Sequence, residues 1–129
     1  MFGRAPGSGA KRPTPTQTGA AAESLACRFL ERNGLRLVER NYRCRRGEID
    51  LVMQDTGHLV FVEVRYRANR QFGGGAETVD GAKQRRLTAA AAHYLQTHRS
   101  GREPACRFDV VAVTGQDEPE WIRDAFEAS

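Results

Sequence analysis

The sequence predicts a single α/β domain with one small mixed sheet and helices packed against it, in the core order α-β-β-β-α-β. Two segments place apolar residues at helical spacing, and three short segments between them read as strands. A later run, Arg107 to Val113, is almost continuously apolar, as a central strand covered on both faces is. At 129 residues the chain can bury one core but not two.

Taken in order, Met1 to Thr18 is rich in glycine, proline, serine and threonine, with Arg4, Lys11 and Arg12. Almost nothing in it is apolar, so it is expected to be a flexible basic arm, leaving 19–129 as the folded domain. From Gly19 the residues Ala22, Leu25, Ala26, Phe29 and Leu30 fall at helical spacing. Thr18 is the expected N-cap and Asn33-Gly34 the stop. Leu35 to Asn41, Gly47 to Gln54 and His58 to Tyr66 are the predicted strands, the last two joined by the turn Asp55-Thr56-Gly57. Ala68 to Val79 is a glycine-rich loop. Gly73-Gly74-Gly75 lacks the Gly-Lys-Ser/Thr of a nucleotide-binding loop, so that function is rejected. A second helix is expected from Asp80 to about His98, burying Leu87, Ala90, Ala91, Tyr94 and Leu95. Glu120 to Phe126 is a short packed element.

Composition narrows the function classes. Hydrophobic residues at 40% and charged residues at 28% describe an ordinary globular chain rather than a disordered one. No apolar run approaches the roughly 18 residues of a membrane span, and no signal-peptide core is visible at the start. Cys27, Cys44 and Cys106 are scattered and odd in number, and His58, His93 and His98 show no zinc spacing with them. Reduced, mostly buried thiols in a cytoplasmic protein are expected. The net charge of +4 suits a polyanionic partner.

The chemistry is expected where Gly47-Glu48-Ile49-Asp50-Leu51-Val52 meets Phe61-Val62-Glu63-Val64-Arg65. Alternation places Glu48, Asp50 and Val52 on one face of their strand, and Leu59, Phe61, Glu63 and Arg65 on one face of the next. With Gln54 opposite Leu59, Val52 faces Phe61, Asp50 faces Glu63 and Glu48 faces Arg65. Opposed carboxylates are destabilising unless they are solvated, one is protonated or a cation sits between them; Ile49, Leu51, Phe61, Val62 and Val64 argue against full solvation, and a cation such as Mg²⁺ is the economical explanation. Glu23, at the flank of the first helix's apolar stripe, is either a third participant or a solvated surface glutamate. Arg43, Arg45 and Arg46 precede the acid-bearing strand and are either phosphate contacts or a solubilising loop. Lys83 hangs at the inner edge of the second helix, within reach of phosphate or of water. Asp109 reads as a hydrogen-bonded structural acid, Trp121 as a plug of the core, and Tyr42 and Tyr66 as sheet packing residues.

Asp50 followed by Glu63-Val64-Arg65 resembles the (P)D…(D/E)xK signature of restriction-endonuclease-like nucleases. More closely, Asn41-Tyr42-Arg43, Arg46-Gly47-Glu48-Ile49-Asp50-Leu51, Val60-Phe61-Val62-Glu63-Val64-Arg65-Tyr66-Arg67, Lys83-Gln84-Arg85-Arg86 and Arg107-Phe108-Asp109-Val110-Val111 resemble the bacterial YraN-type family, itself similar to archaeal Holliday-junction resolvases. The resemblance covers Gly19 to Phe126. It implies a restriction-endonuclease-like fold and a Mg²⁺- or Mn²⁺-dependent endonuclease acting on DNA, branched DNA included. Glu23, Asp50 and Glu63 would be the metal ligands, with the Val64 carbonyl beside them. Arg65 stands where the superfamily carries lysine and Ile49 where it carries proline. An arginine stays protonated, so Arg65 would clamp phosphate or orient water rather than act as a base. The alternative is a nucleic-acid-binding module with a vestigial site. Cleavage of both strands by a one-site chain would require a homodimer.

Overall fold

The computed structural model describes residues 15–66, 79–98, 105–114 and 118–127. Residues 1–14 of the expected arm and the glycine run at 73–75 lie outside the described residues. Seven elements follow one another: α1 (Pro15–Arg32), β1 (Arg36–Cys44), β2 (Gly47–Asp55), β3 (His58–Tyr66), α2 (Gly81–Thr97), β4 (Ala105–Val113) and β5 (Glu120–Phe126). The expected order is present, and the short packed element at the end is a fifth strand.

Helix α1 starts four residues earlier than expected. Pro15 opens it because proline's missing N–H is not needed in a first turn and its fixed φ suits helix entry. Thr18 therefore lies inside the helix rather than capping it. The stop falls where the sequence placed it. Gly34 takes φ +97°, and the N–H groups of Gly34 and Leu35 bond to the carbonyls of Glu31 and Leu30, each at 3.1 Å. The buried stripe runs through Ala22, Ala26, Cys27 and Leu30, which leaves Leu25 outside it at 42 % exposure.

The five strands lie in chain order, β1-β2-β3-β4-β5. All neighbours are antiparallel except β3 and β4, which run parallel because α2 carries the chain back between them. The β2–β3 turn closes at Asp55 opposite His58, with Gly57 at φ +77° and the Asp55 Oδ1 accepting the Thr56 N–H at 2.8 Å. Gln54 then faces Leu59 and Val52 faces Phe61, the expected register. One face of the sheet packs Val52, Leu59, Phe61, Phe108 and Val110 under α2; the other packs Leu51, Met53, Val60, Val62 and Val111 under α1.

Alternation fails on β2 between Ile49 and Leu51. Ile49 belongs to the α2 face although Leu51, two residues on, belongs to the α1 face. The same switch occurs on β1, where Arg40 reaches Glu23 of α1 but Tyr42 bonds His93 of α2. Asn41 between them has φ +55°, a left-handed conformation that asparagine tolerates better than most residues. Arg40 still pairs with Leu51 and Tyr42 with Ile49, so both strands change face together around Asn41 and Asp50. The expectation that Glu48, Asp50 and Val52 share a face is thereby overturned.

The buried Asp109 has the structural role expected of it. Fully enclosed, it takes the Arg107 guanidinium through Nε at 3.0 Å, the Trp121 indole N–H at 2.9 Å and the Asp124 backbone N–H at 2.9 Å. The last bond fills a gap in the β4–β5 ladder, where Asp124 bulges at φ +54°. Trp121 does pack against the α1-face core, edge to face with Phe29, but its indole N–H is also a ligand of this acid. Tyr42 is buried, whereas Tyr66, expected to pack, is 48 % exposed at the end of β3. The thiols are likewise more varied than expected: Cys27 is buried, Cys44 half-buried and Cys106 exposed.

Asp109→Ala should destabilise the fold by about 3 kcal/mol, because it leaves the Trp121 and Asp124 N–H donors unpaired and the half-buried Arg107 guanidinium with Asp55 alone. Urea unfolding followed by Trp121 fluorescence measures it. A destabilisation below about 0.5 kcal/mol, the range of an ordinary surface substitution, would mean that the network does not hold β5 in place.

Candidate active site at a strand fork

β2 and β3 are paired from their shared turn as far as Leu51 and Val62, and there the ladder stops. β3 continues beside β4 to Tyr66, while β2 continues beside β1. The strands fork, and the fork strands the Val64 N–H on the open edge of β3. A buried backbone donor without a partner is costly. The Asp50 carboxylate takes that N–H at 2.8 Å, which draws its side chain across the fork toward β3.

Glu63 lies beside it, one residue past the last paired residue of β3. It is only 5 % exposed, and its Oε2 receives the Lys83 ammonium from α2 at 3.2 Å. Lys83 is carried there by the start of α2, whose N-cap Asp80 accepts the Lys83 backbone N–H at 2.9 Å. Glu23, from α1, pairs with Arg40 at 3.5 Å. The Arg40 Nε is itself buried and has no hydrogen-bond partner among the described residues.

Burial, and next the charge of Glu63, push the Asp50 carboxyl up to about 8 against an ordinary 3.8; Glu23 adds to the rise. The Val64 N–H and Lys83 pull the other way and do not offset it. With both acids ionised, the pair would hold more negative charge than Lys83 alone neutralises. Mg²⁺ commonly takes one or two carboxylates from a protein and completes its shell with water and phosphate oxygens. The Asp50–Glu63 pair fits a hard cation of that kind.

The expected site residues divide accordingly. Asp50 and Glu63 come together. Glu23 acts on Asp50 through space but is held by Arg40, and among the described residues no three acidic, histidine or cysteine side chains converge closely enough to hold a metal. Glu48 does not face Arg65: its partner is Arg43 at 3.3 Å, across the β1–β2 ladder. The reason is the same fork, which carries β2 away from β3 before Glu48 is reached. Arg65 sits on β3 opposite Ala112, half-buried, with no ion pair among the described residues. Arg45 and Arg46 are exposed in the β1–β2 turn. That turn rests on α2, since a Cβ on Gly47 would come within 2.7 Å of the Arg86 carbonyl. The exposed Arg85 and Arg86 of α2 therefore adjoin the turn arginines. Arg40 does not stand out in the sequence, where its only signal is a basic residue within a strand.

A mixed five-stranded sheet between two helices, with half-buried Asp50 beside buried Glu63 where two strands part, defines a small α/β protein of nuclease-like fold. The model of an uncharacterised protein family, UPF0102, matches residues 22–113. A UPF0102 protein of Nitrosococcus oceani is 51% identical over 119 residues, covering 90% of this chain and 96% of its own. Another, from Ralstonia nicotianae, is 56% identical over 118 residues, covering 88% and 89%. A third, from Methylococcus capsulatus, is 52% identical over 124 residues, covering 94% and 97%. The chain belongs to the UPF0102, or YraN-type, family. Among the described residues no helix is long and apolar enough to cross a membrane.

The raised Asp50 carboxyl sets a pH dependence. Between pH 4 and 8 the folded chain holds a proton that the unfolded chain has lost, because the folded value of about 8 lies above the ordinary 3.8. Metal-free stability from this group is therefore full below about pH 4 and falls as pH rises toward 8. Asp50→Asn should flatten that fall and raise the melting temperature in chelator at pH 8 by at least about 4 °C, the shift that roughly 1 kcal/mol gives a chain of this size. Melts at pH 5 and 8 that changed equally in both proteins would exclude Asp50 as the titrating group.

Proposed function

We propose that this protein is a divalent-metal-dependent nuclease that hydrolyses DNA phosphodiester bonds, with Asp50 and Glu63 holding Mg²⁺ or Mn²⁺. The observation that carries the reading is the pair of carboxylates, buried Glu63 and half-buried Asp50, brought together at a fork where Asp50 serves the sheet only through one backbone N–H. When bound, the cation supplies a hydroxide from its own water and stabilises charge on the phosphate. Glu23, fixed by Arg40, stands at the edge of the site, where it would orient water in the cation's shell. Arg65, without an ion pair among the described residues, would clamp a phosphate oxygen with its planar fork. Arg43, Arg45 and Arg46, continued by Arg85 and Arg86, form a basic surface along which the phosphate backbone would run. Branched DNA is the substrate that the family resemblance suggests, and cutting two strands at once would take two copies of the chain.

The pairing of Glu63 with Lys83 favours a second reading. With that acid already compensated, the basic surface could bind DNA and the site remain idle.

A cleavage assay on branched and linear DNA with Mg²⁺, Mn²⁺ and chelator separates the two. Cleavage should require metal, and Asp50→Asn or Glu63→Gln should reduce it by about a hundredfold or more while DNA binding persists. Arg65→Ala should cut the rate by about a hundredfold, and Arg65→Lys should retain or raise it. Salt-sensitive binding without cleavage under either metal would establish the idle site.

Replacing Arg43, Arg45 and Arg46 with alanine should reduce the slope of log affinity against log salt by about one unit for each phosphate that is no longer neutralised. An unchanged slope would place the DNA elsewhere on the molecule.

A further inference from the structure

Lys83 has one end fixed and the other free to swing. Its backbone is locked into the first turn of α2 by Asp80, whereas its side chain is 39 % exposed and reaches inward to the nearly inaccessible Glu63. The first turn of α2 carries no acidic residue. A lysine is a compact point charge on a flexible four-carbon stem, so its ammonium can exchange partners without moving the helix.

The charge balance says when it would exchange. Without metal, the ammonium neutralises Glu63, and Asp50 accepts the Val64 N–H. A divalent cation between Asp50 and Glu63 neutralises both carboxylates by itself. The ammonium then has no uncompensated acid to pair with and lies within a few ångströms of a double positive charge, where repulsion outweighs what a half-exposed ion pair returns. The metal, the two acids and the lysine would together carry one positive charge in excess. A phosphodiester supplies the one negative charge that balances it.

We infer that Lys83 is a built-in counter-cation that holds Glu63 until a divalent metal takes the acid pair, and then moves its charge to the phosphodiester of the nucleic acid. The inference rests on the metal-site reading above. It goes further by ordering the events: metal binding releases the lysine, and the released lysine strengthens binding of the substrate. Lys83 thus opposes one ligand and favours the other, which a residue with a merely structural role does not do.

The test titrates Mn²⁺ by calorimetry into wild type, Lys83→Met and Lys83→Arg, with circular dichroism reporting the fold, and Lys83→Gln as a second neutral variant. Lys83→Met and Lys83→Gln should bind Mn²⁺ about tenfold more tightly, since a competing charge-assisted contact is gone. The same two variants, saturated with Ca²⁺, should bind a short DNA duplex about tenfold more weakly, with a salt slope smaller by about one unit. Lys83→Arg should stay near wild type in both. Mn²⁺ affinity that is unchanged or weaker in the neutral variants, with wild type binding normally, would overturn the counter-cation role and leave the metal site standing. Failure of wild type to bind Mn²⁺ at all would remove the metal site itself, and the exchange with it.

Discussion

The fork between β2 and β3 is the constraint on which the rest of this molecule depends. The two strands pair regularly from their turn to Leu51 and Val62 and part beyond it, β2 staying with β1 and β3 with β4. Separation leaves backbone groups unsatisfied inside the fold, and such groups need partners. Here the partner is the Asp50 carboxylate at the Val64 N–H. That bond holds the half-buried Asp50 beside Glu63. Burial and the neighbouring charge then raise its affinity for a proton. The acid pair follows from the way the sheet divides.

Asp109 shows why this should not be read as an ordinary buried acid. Both aspartates repair a gap in a ladder by accepting a backbone N–H, Asp50 from Val64 and Asp109 from Asp124. Asp109 then receives the Arg107 guanidinium and the Trp121 indole, so its charge and its lone pairs are accounted for within the fold. Asp50 receives another carboxylate as its neighbour. A fold that can surround one strand aspartate with donors leaves the other short of them, and the shortage lies beside Lys83, the β3 residue Arg65 and a basic turn. Stability explains the first arrangement and does not explain the second.

Most of this was legible in the chain, for identifiable reasons. The turn at Thr56-Gly57, the stop at Gly34 and the N-cap at Asp80 are local chemistry, and the β2–β3 register follows from the turn. The acids emerge by counting alternation outward from that turn, and the count holds to Val52 and Phe61. It fails beyond, because Asn41 at positive φ and Asp50 opposite it let both strands change face together, which no hydrophobic pattern announces. The pairing of Glu48 with Arg65 fails for that reason, while the pairing of Asp50 with Glu63 survives through a side-chain bond rather than a ladder. Arg40 is hidden by the same cause: its face can be known only after the switch is seen. The inner edge of α2 is the right place for Lys83, yet sequence spacing points it at phosphate alone, since spacing does not reveal which carboxylate a four-carbon stem will reach.

Helix α2 joins these parts into one unit. Its first turn delivers Lys83 to Glu63, and its middle packs Leu87, Ala90 and Ala91 over the sheet face that also holds Val52 and Phe61. The backbone of Arg86 presses on Gly47, where any side chain would push the β1–β2 turn away. The turn arginines therefore cannot shift relative to the acids without moving the helix that carries the lysine. A phosphate backbone lying on the turn would be held at a fixed offset from the fork, and the ammonium of Lys83 would be the charged group able to move between them. Rigid placement of the basic surface and an exchangeable side chain would be complementary: the first would set where a phosphodiester lies, and the second would let the charge at that position change if a metal bound.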